Sequence, residues 1–403
     1  MNILFLTHVY PYPPDSGGLI FTYNAIKHEF ENGNNVTIIT FNNKSIETPL
    51  DQIADVHIIH KDTRNRFVGM LVNLFSSIPY NSSKYVSEEI PSLIKKIVET
   101  KGIDIIYIDH LHMAIYSNFI KRQWPNMPLI FRSQNVETTI MERFYQNQSN
   151  PFIKIYAFMQ YLKMRSYESK IVEVFDKCFM LTENDSQRIK EMNPKVKEVT
   201  IPAGVDIIKY SPKPNTEEGM TILFLGSLNW LPNADGLKWF IDNVLDKVIA
   251  EIPNIKFFIV GKDPIDQVKR LHDGNKIIVT GYVEDERDYI SKCSVFIVPL
   301  RIGGGMRIKI LNAMSMGKCI VSTSIGAEGI NLKNHHDIYI SDEPETFAKD
   351  IIFLLRNQAI REKVSLNARE TISTNYSWKA VFKIADAERV EVLEKYKEVG
   401  EES

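Results

Sequence analysis

With 403 residues, of which 44% are hydrophobic and 24% charged, the chain is long enough for two ordinary globular domains and too well mixed to be disordered. Its 48 Lys and Arg against 50 Asp and Glu leave a net charge of −2, which gives no broad basic field and excludes nucleic acid as an expected partner. No apolar run approaches the roughly 20 residues of a membrane span, so any membrane association is expected to be peripheral.

The chain opens on Met1 and runs straight into NILFLT, which reads as a first core strand rather than a leader. Further strands are predicted at Asn35–Thr40, Val56–Ile59, Ile105–Ile108, Leu129–Arg132, Lys177–Leu181 and Glu198–Ile201, with a helix between Gly17 and Glu31. The scheme repeats at Thr221–Leu225, Lys256–Val260, Ile277–Thr280, Val295–Pro299 and Cys319–Thr323, each followed by a helix-period stretch. Strands alternating with helices imply an α/β protein with parallel sheets covered on both faces, built twice. The Pro- and Gly-containing stretch Ser211–Gly219 reads as the linker about which two halves move, giving an N-terminal domain over 1–210 and a C-terminal domain over 211–377. A long charged helix over 378–403 then follows a domain that is already complete, and is expected to fold back onto the first. Cys178, Cys293 and Cys319 stand alone in apolar surroundings and read as buried thiols of a reducing cytoplasm.

In open parallel sheets ligands sit beyond the carboxyl ends of strands, so the loops there carry the chemistry. After the first strand, THVYPYPPDSGG places Gly17 and Gly18 at a helix start, where bare N–H groups can meet a phosphate. In PLRIGGGMRIKILNAMSMGKCIVST, Gly303, Gly304 and Gly305 with Met306 remove bulk before a helix, and Arg307 and Lys309 put two cations beside its positive end. A diphosphate suits that arrangement; a glycine turn with two solvated cations is the plainer alternative. GSLNWLPNADG carries Gly226, Ser227 and Asn229, with Trp230 either a lid or core. GYVED puts Tyr282 and the backbone of Val283 where a nucleotide base can lie. In the first half, Asp109, His110 and His112 of IYIDHLHMA follow a strand; they suit polar ligand contacts better than a metal, because no further cluster completes a site. No Asp-x-Asp pair is present to hold a diphosphate through a divalent ion, so the cationic loop stands in for a metal and none is expected.

Taken together, these loops resemble the large family 4 of retaining GT-B glycosyltransferases, over nearly the whole chain. The matching pieces are HVYPYPPDSGG, FRSQNVE, LTENDSQRI, IPAGVD, FLGSLNWLPNADGLKWF, IVGKDP, TGYVED and the PLRIGGGMRIKILNAMSMGKCIVSTSIGAEGI block. The resemblance implies the GT-B fold, two Rossmann-like domains facing across a cleft with a C-terminal helix crossing back. It implies a nucleotide-sugar donor held by the C-terminal half, and an acceptor, a sugar or lipid-linked sugar, on the N-terminal half. UDP-sugars are the donor class suggested by family frequency, the nucleotide-sugar is a substrate, and no cofactor is expected. Many members flank the donor with a Glu, seven residues and a second Glu; here Gly304 and Asn312 stand at those positions. The usual cation pair after the first strand of the second domain is also absent, since Ser227–Trp230 occupy it. The expected subgroup is one in which the glycine loop, Arg307 and Lys309 bind the anion and Asn312 hydrogen-bonds the ribose.

On that reading Gly18, Arg307 and Lys309 stabilise the leaving diphosphate, and His110 or His112 touches the donor sugar. Bacterial surface polysaccharide or glycoconjugate assembly is the expected pathway. The apolar-basic stretches Arg64–Phe75 and Phe152–Arg165 either lie at a membrane surface or pack on the first sheet. Two other readings stay open: a nucleotide-sugar epimerase of the same fold, and a non-catalytic binding or scaffold subunit, the latter motivated by Gly304 and Asn312. A dinucleotide dehydrogenase is set aside because no strand is followed by G-x-G-x-x-G.

Overall fold

The computed structural model describes residues 1–42, 48–213 and 216–401, with side chains described to residue 397. Pro214 and Asn215 of the expected linker, and Glu402 and Ser403 of the expected C-terminal helix 378–403, lie outside the described residues. By its contacts the chain divides into a first unit, 1–202 with 382–403, and a second unit, 203–381.

The first unit is a parallel sheet of strands β1 (Asn2–Thr7), β2 (Asn35–Phe41), β3 (Asp55–Ile59), β4 (Ile105–Asp109), β5 (Leu129–Ser133), β6 (Lys177–Met180) and β7 (Glu198–Thr200), in the order β3-β2-β1-β4-β5-β6-β7. The second contains β8 (Thr221–Leu225), β9 (Lys256–Val260), β10 (Ile277–Gly281), β11 (Val295–Val298), β12 (Cys319–Ser322) and β13 (Tyr339–Ile340), in the order β10-β9-β8-β11-β12-β13. All of these pairs are parallel. The twelve strands expected from the sequence are all present, with ends shifted by no more than one residue. The two-residue β13 escaped the sequence because it is too short to show a period.

The central strands read as continuous apolar runs because helices bury both faces of a parallel sheet. Every residue of β4, β5, β11 and β12 is buried, from Ile105 through to Ser322. Each strand leaves its helix toward the next: Gly17–Glu31 carries the chain from β1 to β2, and Leu231–Phe240 begins the return from β8 to β9. All three cysteines are buried and unpaired by disulfides, their thiols pushed up to about 12 for Cys293 and Cys319 and higher still for Cys178, chiefly by burial.

The described parts of Ser211–Gly219 are tied into the second unit. Lys213 pairs with Asp288 at 2.5 Å, Thr216 donates to the carbonyl of Ser291 at 3.0 Å, and Glu217 accepts from Arg361 at 2.6 Å. The chain changes unit at Pro202/Ala203 and again at Val381/Phe382. Within the second unit the two passages lie side by side: Val205 pairs with Ser377, and the Trp378 ring fills the space beside Gly204, where a Cβ would come within 2.4 Å of it.

The final helix, Trp378–Glu401, starts in the second unit and from Phe382 belongs to the first. Its polar face is held by ion pairs and hydrogen bonds: buried Arg389 pairs with Glu29, Asp386 meets His28 Nε2 at 2.9 Å, Glu388 takes Lys177 at 2.5 Å, and Tyr396 donates to Asp176 at 2.7 Å. The expectation that this helix folds back onto the first domain agrees with its grouping from Phe382 onward with the first unit.

Glycines at the carboxyl ends of β8, β9 and β10 let three loops run against each other. Gly226 donates to Val260 O at 3.0 Å and Gly261 to Gly281 O at 3.1 Å. A Cβ on Gly261 would sit 1.8 Å from the carbonyl oxygen of Gly226, a backbone atom that cannot swing aside. Gly261→Ala is therefore expected to cost about 1–3 kcal/mol by overpacking, lowering the melting temperature by roughly 2–4 °C per kcal/mol in a unit of this size. Thermal unfolding followed by circular dichroism checks this, and an unchanged melting temperature contradicts the close approach.

Candidate functional site

In both sheets the strand order reverses once, between β1 and β4 and between β8 and β11. Helices after the two flanking strands leave to opposite faces there, which opens a crevice beyond the carboxyl ends. Each unit carries its unusual residues at that point.

In the second unit, the loop after β11 contains Gly303 at φ 123° and Gly305 at φ 76°, backbone conformations that favour glycine. Gly304 lies between them, exposed, and its carbonyl accepts from the guanidinium of Arg307. Arg307 is buried and immediately precedes the helix Ile308–Ser315, whose start has no side-chain cap. Its guanidinium lies 5.9 Å from the Trp230 ring, so Trp230 is a half-exposed wall over the cation rather than core. Met306 packs partly buried against the core below.

Lys309 reaches from that helix across to the end of β8, donating to Leu225 O at 2.9 Å and Asn233 Oδ1 at 3.0 Å. Burial, reinforced by the charge of Arg307, lowers its ammonium to about 7. Around it the β8 loop is organised by side chains: Ser227 Oγ donates to Asn229 Oδ1 at 2.8 Å, Asn229 Nδ2 to Asp263 at 3.3 Å, and Asn233 Nδ2 to Ser227 O at 2.9 Å. Gly226 makes room for Asn233, since a Cβ there would lie 2.5 Å from its amide nitrogen. Asn233 is thus the residue the sequence reading missed. A polar side chain one turn into a helix after a glycine loop, itself buried, is the signal that points to it.

The structure brings Gly226, Ser227, Asn229, Arg307 and Lys309 to the β8/β11 end of the sheet. Asn312 lies half-buried farther along the helix Ile308–Ser315. Tyr282 and Val283 follow β10 at the sheet's edge, the tyrosine 75% exposed and the valine packed on the core. Gly281 at φ 72° turns the chain ahead of them.

In the first unit, Gly17 and Gly18 open the helix Gly17–Glu31, which has no side-chain cap at its start. Gln134, after β5, packs on Gly18: its Nε2 donates to Gly18 O at 3.3 Å, and a Cβ on Gly18 would meet Oε1 at 2.0 Å. Asp109 is buried in an ion pair with Arg132 at 3.1 Å and accepts from Thr22 at 2.7 Å, so it holds strands and helix together rather than facing a ligand. His110 sits at φ 73°, ψ 145°, a conformation costly for a residue with a side chain. Its Nε2 lies 3.4 Å from Glu137. His8, at the end of β1, stacks its ring 4.4 Å from that of His110 and 5.0 Å from that of His112. Burial makes all three imidazoles neutral, His8 falling to about 4 and the other two well below their ordinary value. Burial, then the neighbouring Glu168, raises Glu137 to about 8, while Glu168 rises to about 7 although it accepts N–H bonds from Glu137 at 3.0 Å and Thr138 at 2.8 Å.

Comparison with known proteins follows the same division. Residues 219–357, most of the second unit, match the family model "Glycosyl transferases group 1". The "Uncharacterized 44.6 kDa protein in cps region" of Klebsiella pneumoniae is 24% identical over 384 residues, 92% of this chain and 95% of that one. Among solved structures, sucrose-phosphate synthase from Thermosynechococcus elongatus superposes with a TM-score of 0.71 at 14% identity, covering 96% of this chain and 98% of that one. Anabaena HepE in complex with UDP does so with 0.67 at 14% identity, covering 96% and 99%. Two parallel sheets with this strand order and the likeness to these solved structures give the chain the GT-B fold, and residues 219–357 of its second unit match the group 1 glycosyl transferase model.

Proposed function

We propose that the protein is a retaining glycosyltransferase of class EC 2.4 that moves a sugar from a nucleoside-diphosphate donor to an acceptor hydroxyl. The observation that carries this is the pair Arg307 and Lys309 at the β8/β11 switch point, beside an uncapped helix start and a loop of three glycines. HepE has been solved with UDP and with UDP-glucose, which supports a UDP-sugar as donor here. The "cps region" of the Klebsiella relative's name supports surface polysaccharide assembly as the pathway.

In the reaction the bond between the anomeric carbon and the diphosphate oxygen breaks, and a bond from the acceptor oxygen forms on the same face. The acceptor's proton passes to the leaving diphosphate, so no dedicated base is needed. Negative charge grows on the diphosphate, and cations fixed beforehand, with helix-terminal N–H groups, stabilise it most where water is excluded. Arg307 and Lys309 take that role, Gly303, Gly304, Gly305 and Met306 supply room and N–H groups, and Gly226, Ser227 and Asn229 line the β8 side. Asn312 hydrogen-bonds the ribose, and Tyr282 with Val283 takes the base. In the first unit Gly17, Gly18, His110 and His112 serve the sugar and acceptor. Among the described residues no carboxylate pair stands beside Arg307 and Lys309, which supports turnover without added magnesium or manganese.

Arg307→Ala and Lys309→Ala are each expected to weaken UDP-sugar binding by about 1–3 kcal/mol, because charge-assisted bonds to a diphosphate are the strong ones. Calorimetric titration against UDP- and GDP-sugars measures this, and undiminished affinity in both variants sinks the phosphate assignment.

The lowered ammonium of Lys309 fixes the sign of a pH effect. Near pH 7 the free protein holds Lys309 partly deprotonated, whereas a bound diphosphate favours its charged form, so binding takes up a proton. Affinity is expected to fall as pH climbs above about 7, by at most tenfold per unit for one proton. The same titration across pH shows the slope, and Lys309→Ala should flatten it.

A lipid-linked acceptor is supported by the surface of the first unit. On the helix Phe67–Asn73 and just beyond it, Phe67, Val68, Val72 and Phe75 are between 66% and 96% exposed. Phe152 and Ile155 of the helix Pro151–Ile171 are 83% and 60% exposed, beside exposed Lys154 and Arg165. Lys163 ties the two helices, donating to Asn73 O at 2.6 Å and Leu74 O at 2.8 Å. Apolar side chains beside cations suit the interface of an anionic bilayer. The protein is expected to sediment with phosphatidylglycerol vesicles and far less with phosphatidylcholine, and Phe75→Ser with Phe152→Ser to release it. Equal recovery in the supernatant with both lipids tells against a peripheral site.

A further inference from the structure

The crevice of the first unit holds a cluster of imidazoles that can do more than the ligand contacts assigned above to His110 and His112. β1 and β4 are neighbours in register, Leu6 beside Ile108, so the residues that follow them emerge side by side at the strand-order reversal. Those residues are His8 and His110, and the turn Leu111–Tyr116 returns His112 to the same place. The sequence offered His110 and His112 as a pair; the fold supplies the third imidazole from about a hundred residues away.

One ring nitrogen from each of the three lies within 4.8 Å of the others. The Nδ1 atoms of His110 and His112 face each other, and the three ring centroids are 4.2, 4.4 and 5.0 Å apart. A neutral imidazole carries one lone pair and one N–H, so three rings converging on one point satisfy each other poorly. A single cation accepts all three lone pairs. Tetrahedral zinc with nitrogen at about 2.0–2.1 Å separates its nitrogens by roughly 3.3 Å, which these side chains reach by shifts on the order of 1 Å.

The surroundings match the same ligand. Metal-bound histidine ordinarily gives its other ring N–H to a carboxylate, which fixes tautomer and orientation. His110 has Glu137 Oε1 3.4 Å from Nε2, on the side away from the cluster. Tyr85 stands edge-on to His8 and His112, with centroids 5.7 and 5.1 Å away, and walls the site with an aromatic face. The left-handed backbone of His110 is the kind of strain that persists where a side chain must be aimed. Lys84 nearby opposes a cation, and burial lowers its ammonium.

We propose that His8, His110 and His112 bind one late first-row divalent ion, zinc first among them, with Glu137 orienting His110. Imidazole ligands select zinc, nickel and copper over magnesium and calcium. Three protein ligands leave one position open for a water or a hydroxyl oxygen. The proposal concerns the first unit alone and stands whether or not sugar transfer is the activity.

The test uses the full chain without a polyhistidine tag, stripped with chelator, then loaded with Zn²⁺ or Co²⁺ and desalted. Elemental analysis is expected to find one metal per chain, with intense visible Co²⁺ bands of a tetrahedral site and a Zn²⁺-dependent rise in melting temperature. His8→Gln and His112→Gln should each weaken uptake at least tenfold, and Glu137→Gln by roughly 10–100-fold, as loss of an orienting carboxylate does. Wild-type protein that keeps no stoichiometric metal overturns the proposal, whatever the variants do. So does equal uptake by a folded His8→Gln/His112→Gln double variant, which would put the metal elsewhere.

Discussion

Parallel strands deliver all their carboxyl ends to one edge, and a sheet that grows outward from its first strand in both directions must reverse its order once. That reversal falls between β1 and β4 in the first unit and between β8 and β11 in the second. Where strand order reverses, the flanking helices of such sheets depart to opposite faces and open a crevice at that edge. The other features follow from it: His8 meets His110 because β1 lies beside β4, and Lys309 reaches Leu225 because β8 lies beside β11. Neither meeting depends on sequence proximity.

Such an edge is useful only if charge can be kept there, and the protein does so with backbone as well as counter-ions. Lys309 is held by a carbonyl and an amide oxygen, and Arg307 turns to the carbonyl of Gly304. Both cations thus lean on backbone and amide oxygens at the switch point, where burial lowers the ammonium of Lys309 and a bound anion would favour its charged form. The contrast is Asp109 with Arg132, buried one residue from His110. There the two charges are mutually satisfied, and removing either partner would leave an uncompensated ion in the core. Similar chemistry gives opposite meanings because the partners differ.

Ionic contacts also help to place the last helix. Trp378–Glu401 buries Phe382 and Val392, and its route over the first unit is marked besides by the ion pairs Glu29–Arg389 and Lys177–Glu388 and by the hydrogen bond from Tyr396 to Asp176. The buried pair Glu29–Arg389 is a poor source of net stability but a good source of specificity, since an alternative docking would strand a charge. Helix placement and strand order together complete the first unit from residues at both ends of the chain.

What the sequence by itself determined is the set of local elements and the loops between them. Apolar runs of four to seven residues separated by helical periods mark β1 to β12 because parallel strands are buried on both faces and helices on one. Glycines at strand ends mark the loops, since Gly303 and Gly305 need backbone angles that other residues avoid. The tertiary structure decided which loops meet. His8 was overlooked because its partners are distant in sequence and a lone histidine after a strand carries no period. Asn233 was overlooked because its role, bracing Lys309 and the Ser227 loop, exists only once β8 and β11 are adjacent. The cationic and aromatic stretches Arg64–Phe75 and Phe152–Arg165 were ambiguous for a related reason: composition states that a face is apolar, and only packing states whether anything covers it.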